Sequence, residues 1–222
     1  MRRAYTLVEL AITMAIVAIL GAIGWGMLRG HLPRFRLAGS GKMLQADLME
    51  LRNLAVSTNR QTRLLLTGSG GDCTDYATYG GSWDLEIGDR SLRSNKWDVL
   101  PSDLVETGSD ADQSEGVRDL GPGGDRETPH ICLQKWAALT GPSTGNADSV
   151  VFSPRGWVEN PPEDFDSRGY IVLTLINQEA AQDGVSDQVL VTISRSGVIT
   201  LLANGDADAT PVVGTARGST SP

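Results

Sequence analysis

Met1-Arg-Arg-Ala-Tyr-Thr-Leu-Val-Glu9-Leu10, followed by an uncharged run to Leu28, sets how this chain begins. A cationic tip of four residues leads straight into an apolar segment. At about 20 residues, that segment is long enough to cross a bilayer as a helix. A secretory signal keeps its small-residue cleavage site after the apolar region. Here the small residue, Ala4, comes before it, so cleavage at that point leaves the apolar segment as the new N-terminus. A plain anchor leaves Glu9 unexplained. A carboxylate at a bilayer centre costs about 2.5–3.5 kcal/mol, which marks an intramembrane acid as functional. Its expected partner is the α-amino group that cleavage creates on Tyr5, in this subunit or a neighbour.

The order of these residues, Ala4 | Tyr5-Thr6-Leu7-Val8-Glu9, resembles the class III leader of type IV pilins and type II secretion pseudopilins. That pattern is a short basic leader, a small residue, an aromatic and Thr-x-x-Glu. Ala4 stands where Gly is usual and Tyr5 where Phe is usual. The resemblance implies cleavage between Ala4 and Tyr5 by a prepilin peptidase and N-methylation of the new amine. It implies that Glu9 neutralises a neighbour's N-terminal amine during assembly.

Flanking charge alone gives the opposite orientation, because Arg29, Arg34, Arg36 and Lys42 follow the apolar run. A four-residue leader is too short to be the exported side, and long domains translocate largely regardless of such charges. The expected topology is therefore a single inner-membrane pass with a periplasmic head. Two cysteines, Cys73 and Cys132, agree with export, since an oxidising compartment would join them. Closing that loop of about 60 residues contributes about 4 kcal/mol in the chain-entropy model. The alternative is two unrelated buried thiols.

Gly21, Gly24, Gly26, Gly30 and Pro33 predict a kink or a locally melted stretch in the first helix. Beyond Pro33 an amphipathic half runs to about Thr58. Leu37, Leu44, Leu48, Leu51 and Ala55 form one stripe, with Lys42, Asp47, Glu50 and Arg52 off it. Such a stripe must be buried against something, and the strands that follow are the candidate. Short or alternating apolar runs predict strands at Arg63–Thr67, Trp83–Ile87, Lys96–Leu100, Val150–Ser153 (resuming at Trp157-Val158), Tyr170–Ile176, Gln188–Ser194 and Val198–Leu202. The last two join across Arg195-Ser196-Gly197 as a hairpin, and short connections imply antiparallel pairing. Acidic, Gly-rich Ser102–Pro129 reads as a long mobile loop, and Asn204–Pro222 as a flexible tail.

The fold class is thus α+β: a long N-terminal helix, membrane-spanning then amphipathic, packed on an antiparallel β-sheet head. The organisation is residues 1–4 leader, 5–29 transmembrane and assembly helix, 30–58 amphipathic helix, 59–203 β-rich periplasmic head and 204–222 tail. The head resembles the GspH/FimT group of minor pilins and pseudopilins. The matching stretches are Leu48-x-x-Leu51-Arg52-x-x-Ala55, Arg63-Leu-Leu-Leu66, Val150-Val-Phe152-Ser-Pro-Arg-Gly156 and Val189-Leu-Val-Thr-Ile193-x-x-x-Gly197-Val-Ile199.

Catalytic chemistry has little to work with. His31 falls in the interrupted part of the helix, and His130 lies two residues from a cysteine better used in a disulfide. Gly68–Gly71 and Gly121–Gly124 lack the strand-before, helix-after setting of a phosphate cradle. Asp110, Asp112, Ser114 and Glu115 resemble the opening of an EF-hand, but Glu115 stands where glycine is required and Gly121 where the closing Glu is required. Because some major pseudopilins hold Ca²⁺ in an acidic loop, the resemblance leaves an irregular site as an alternative. No cofactor is expected. A net charge of -8 argues against nucleic acid, whose phosphates call for Lys and Arg. The C-terminal tail has Arg217 alone, with Asp206 and Asp208 upstream.

The resemblance therefore implies a non-enzymatic subunit that assembles, helix against helix, into a type IV pilus or type II secretion pseudopilus, in the tip or initiation complex. Its partners would be other minor and major pilins or pseudopilins, the prepilin peptidase and the inner-membrane assembly platform. The alternatives are a DNA-uptake minor pilin and a membrane-anchored periplasmic adhesin or binding domain.

Overall fold

Helix α1 (Leu7–Thr58) is one element of 52 residues, about 78 Å long at 1.5 Å per residue. The computed structural model describes residues 7–67, 80–100, 116–124, 126–134, 149–182 and 187–204; the side chains of 23–31 are not among those described. The melted stretch expected near Pro33 is absent, and α1 runs through Pro33 without interruption. An interior proline removes one intrahelical hydrogen bond. Here Pro33 is buried at the start of the packed half, where tertiary contacts offset that loss. The helix stops where the sequence predicts. Asn59 takes φ 54 and the Arg60 N–H donates to the Ala55 carbonyl, a left-handed cap closing the last turn.

The head is built from two antiparallel sheets rather than one. The first contains β1 (Thr62–Thr67), β2 (Ser82–Gly88), β3 (Trp97–Val99), β4 (Val117–Asp119) and β6 (Ser149–Phe152), in the order β3-β2-β1-β6 with β4 also on β2. The second contains β5 (Ile131–Gln134), β7 (Tyr170–Asn177), β8 (Gln188–Ser194) and β9 (Ile199–Asn204), in the order β5-β7-β8-β9. A 3₁₀ turn (Pro162–Asp164) and a short helix α2 (Gln178–Gln182) complete the described elements. Each strand expected from the sequence is present to within a few residues. Phe152 and Val158 form the bridge expected where β6 resumes.

The expected loop Ser102–Pro129 is corrected in part, because it contains β4. That strand continues β3 along the same edge of β2: Glu86 to Gly88 pair with β3, and Ser82 to Asp84 with β4. Leu100 and Gly116 meet where the two strands abut, with the Gly116 N–H donating to the Leu100 carbonyl. A Cβ on Gly116 would lie 2.4 Å from that same oxygen, so only glycine fits. Residues 101–115 are thus inserted into one continuous edge, and they lie outside the described residues, as does the tail from 205.

Both sheets turn their apolar faces to α1. The stripe Leu37, Leu44, Leu48, Leu51 and Ala55 is at most 1% exposed. It packs with Leu64, Trp83, Leu85, Ile87 and Phe152 of one sheet and Ile171, Leu173, Leu175, Val191 and Ile193 of the other. Each such side chain contributes about 1.5–3 kcal/mol by burial. Gly41 lets the helix approach closely, since a Cβ there would fall 2.5 Å from Val189 Cγ1.

One junction ties all three layers together at the far end of α1. The turn after β6 places Gly156 at φ 76, and the β8–β9 hairpin places Gly197 at φ 78. Arg52 Nε donates to the Gly156 carbonyl at 3.1 Å. A Cβ on Gly197 would sit 2.0 Å from that same oxygen and 2.9 Å from Arg52 Nε. The Val158 N–H donates to the Arg195 carbonyl at 3.0 Å, a second bond between the same two turns.

Gly123 also has φ 78, but a Cβ there meets nothing within 4 Å, so it isolates conformational strain from collision. Gly123→Ala should lower stability by about 1 kcal/mol and Gly197→Ala by about 3 kcal/mol or more. Urea denaturation of the purified chain checks this; equal losses would remove the junction's special role.

Candidate assembly surface

The N-terminal part of α1 has no covering. Every residue from Leu7 to Ala22 is exposed, with Leu7 at 84%, Met14 at 65% and Leu20 at 64%. Apolar side chains lie all round this segment, so no single buried face is implied. A helix of that kind is stable in lipid or among other apolar helices. Its one described hydroxyl is already satisfied, because Thr13 Oγ1 donates to the Leu10 carbonyl at 2.8 Å. Among the described residues no helix is long and apolar enough to cross a membrane. The uncharged run of the sequence continues past residue 22 into positions whose side chains are not described.

Glu9 lies in the first turn of α1, on the exposed segment. The first turn carries the helix's unsatisfied N–H groups, which favour a carboxylate. Glu9 is the sole charged residue between Leu7 and Leu28. Ala4 and Tyr5 lie outside the described residues, so the structure does not test the cleavage site or the amine that would face Glu9. Cys132 is fully buried in β5 and is not a free thiol. Its expected partner, Cys73, also lies outside the described residues. Gly80 pairs with Cys132 in a parallel bridge, which seats the chain next to β5 shortly after Cys73.

Of the side chains with candidate catalytic or metal-binding chemistry, His130 and Cys132 lie among the described residues. His130, at φ 69, leads into β5, and its carbonyl accepts the Gln178 N–H. Since Cys132 is not a free thiol, no Cys–His nucleophile forms there. Among the described residues no three His, Cys, Asp or Glu side chains are placed to share a metal. Asp110, Asp112, Ser114 and Glu115 lie outside them, as do Asp206, Asp208 and Arg217.

Asp47 is the polar residue that the helical pattern misplaces. It lies off the stripe yet is 5% exposed, because two sheets cover a wider arc of α1 than one stripe does. Trp83 Nε1 donates to its Oδ2 at 2.8 Å, and Arg118 Nε lies 3.7 Å from the same atom. Burial pushes the Asp47 carboxyl above the usual carboxylate range; the Trp83 hydrogen bond and the Arg118 charge oppose this without cancelling it. Across the sheet, Arg63 pairs with Glu86 while its guanidinium lies 4.4 Å from the centre of the Trp97 ring. Sequence periodicity gives no signal for either cluster, since both depend on which strands become neighbours.

Residues 1–25 match the family described as the prokaryotic N-terminal methylation motif. That match covers the N-terminal segment alone. No curated protein matches it. Among solved structures, the chain is similar to the minor pseudopilin EpsH from the type 2 secretion system of Vibrio cholerae. That similarity has a TM-score of 0.45 and 13% identity, over 77% of this chain and 99% of that one. It is similar too to the type IV minor pilin FimU of Pseudomonas aeruginosa, with a TM-score of 0.36 and 15% identity over 75% and 92% of the two chains.

The Asp47 shift sets a pH dependence for the head. A carboxyl whose folded pKa is raised stabilises the fold below its unfolded pKa, and that contribution is lost as pH rises through the folded value. Asp47→Asn keeps an acceptor for Trp83 and removes the titration. The variant should therefore gain stability relative to the parent as pH rises from about 4 to 7. Thermal melts at both pH values decide it; a relative loss would mean that the Arg118 pair outweighs burial.

Proposed function

We propose that this chain is a minor pilin or pseudopilin of the GspH/FimT type, a non-enzymatic subunit of a type IV pilus or type II secretion pseudopilus. The observation that carries the reading is an uncovered, all-round apolar helix with a single acid in its first turn, placed within the methylation motif. In this reading a prepilin peptidase cuts between Ala4 and Tyr5, and the new amine is methylated. The run Leu10–Leu28 then holds the subunit in the inner membrane with its head in the periplasm. Assembly moves that run from lipid to a bundle of neighbouring apolar helices. Both environments accept it, so the transfer carries little hydrophobic penalty.

Glu9 makes the transfer specific. A lone carboxylate in an apolar bundle is costly, and a neighbour's N-terminal amine offsets that cost only at one axial register. The head joins other minor and major subunits through this helix and works with the inner-membrane assembly platform, in the tip or initiation complex. A Cys73–Cys132 disulfide closes the segment between β1 and β5.

N-terminal sequencing of membrane-extracted protein should begin at Tyr5, and a retained Met1 would sink the pilin reading. Glu9→Gln should lower incorporation into sheared fibres by at least about tenfold, the equivalent of 1.4 kcal/mol, with the head still folded by circular dichroism. Incorporation at the parental level would remove Glu9 from the mechanism. Cys73→Ser should cost about 2–5 kcal/mol of head stability, read by denaturation with and without reductant. A parent insensitive to reductant would show the cysteines to be independent.

A further inference from the structure

A groove of about 500 Å³ opens between α1 and the turn that joins β4 to β5. One wall is helical: Arg36, Gly39, Ser40 and Met43. The other is the turn: Gly124, Arg126, Glu127 and Thr128. Arg36 is exposed and forms no ion pair among the described residues. Ser40 is only 4% exposed and presents its hydroxyl on the helical wall. Met43 adds a partly buried apolar floor. Glu127, the one acid in the lining, has an oxygen 3.3 Å from the Gly123 N–H, which donates to it.

Position along the helix points to the occupant. Arg36 lies eight residues beyond Leu28, the end of the uncharged run, or about 12 Å along the axis. Long helical side chains lean toward the helix N-terminus, which brings this guanidinium back by about a turn. If the run spans the bilayer, the guanidinium then lies about 6 Å beyond the hydrocarbon edge, within the headgroup layer. Arg126 reaches the same groove from the opposite wall. Two guanidiniums suit the oxygens of a phosphodiester, and the Ser40 hydroxyl adds a donor. The chain as a whole is repelled by an anionic surface at net charge -8, so local cations are needed to hold it there.

We propose that this groove binds the phosphate headgroup of an anionic phospholipid at the membrane surface from which α1 emerges. The proposal rests on the membrane-anchor reading above. It gives the waiting subunit a fixed head orientation on the bilayer and a contact that must be released on assembly.

Native mass spectrometry of the full chain in detergent tests it, with phosphatidylglycerol and phosphatidylcholine offered in equal amounts. The parent should retain phosphatidylglycerol preferentially. Arg36→Gln and Arg126→Gln should each lower that retention about five-fold, Ser40→Ala should lower it too, and Arg155→Gln, an exposed arginine outside the groove, should leave it unchanged. Equal losses for Arg155→Gln would show diffuse charge attraction and overturn the site. Competition by inorganic phosphate at equal molarity would make it a free-anion site and overturn the lipid assignment. Flotation with phosphatidylcholine vesicles is read separately. Failure to float would sink the anchor reading, whereas the retention ratios in detergent report on the groove alone.

Discussion

One donor, the Arg52 guanidinium near the end of α1, meets the turns of both sheets at a single carbonyl. Helix, first sheet and second sheet have no covalent reason to meet where they do, and the hydrophobic effect is not directional. Arg52 donates to the Gly156 carbonyl, and Gly197 presses against that same oxygen with no room for a Cβ. Two left-handed glycines, one from each sheet, are thereby fixed against one helical side chain. The leucine stripe supplies most of the free energy of packing, and this junction sets its register. A shift of one helical turn would keep much of the burial and lose the junction.

Buried charged groups, Asp47 in the helix–sheet interface and Arg63 with Glu86 on the far face of the first sheet, sharpen the pairing at a cost. Asp47 is buried under β2 and β4 with Trp83 and Arg118, and Arg63 with Glu86 lies beneath Trp97. Buried ion pairs add little net stability, but a misaligned sheet would leave each charge unpaired, which is strongly unfavourable. The head therefore combines a generic apolar core with a few polar contacts that only one arrangement satisfies. The exposed segment Leu7 to Ala22 adds nothing to this core, which α1 builds with its C-terminal half alone.

The sequence was most legible where a period governs the pattern. Leu37, Leu44, Leu48, Leu51 and Ala55 marked the buried face, and alternation in Tyr170–Ile176 and Gln188–Ser194 marked two central strands. Asn59 closed the helix where the pattern ended. Legibility failed where neighbours decide. Val117–Asp119 and Ile131–Gln134 are too short to show alternation, and each becomes a strand because β2 or β7 offers it an edge. Asp47 followed a one-sided helix pattern, whereas two sheets wrap the helix. Pro33 read as a kink or a melted stretch, but the helix continues through it into the half that packs on the sheets. Glu9 stands out because charge is rare in its surroundings, while nothing in the pattern around Arg52 signals the Gly156 carbonyl that it grips.

The abutment of Leu100 and Gly116 has a consequence for how such heads diversify. Both ends of the intervening segment are already fixed by backbone bonds to each other and to β2, so the sheet edge is complete without it. Loop-closure entropy rises only by about 0.6 kcal/mol for each doubling of length. The sequence between these two residues can therefore lengthen, shorten or be exchanged while the scaffold pays almost nothing. Gly116 acts as a socket: a fixed mount on which a lineage, or an engineer, can change what the head displays without redesigning what holds it.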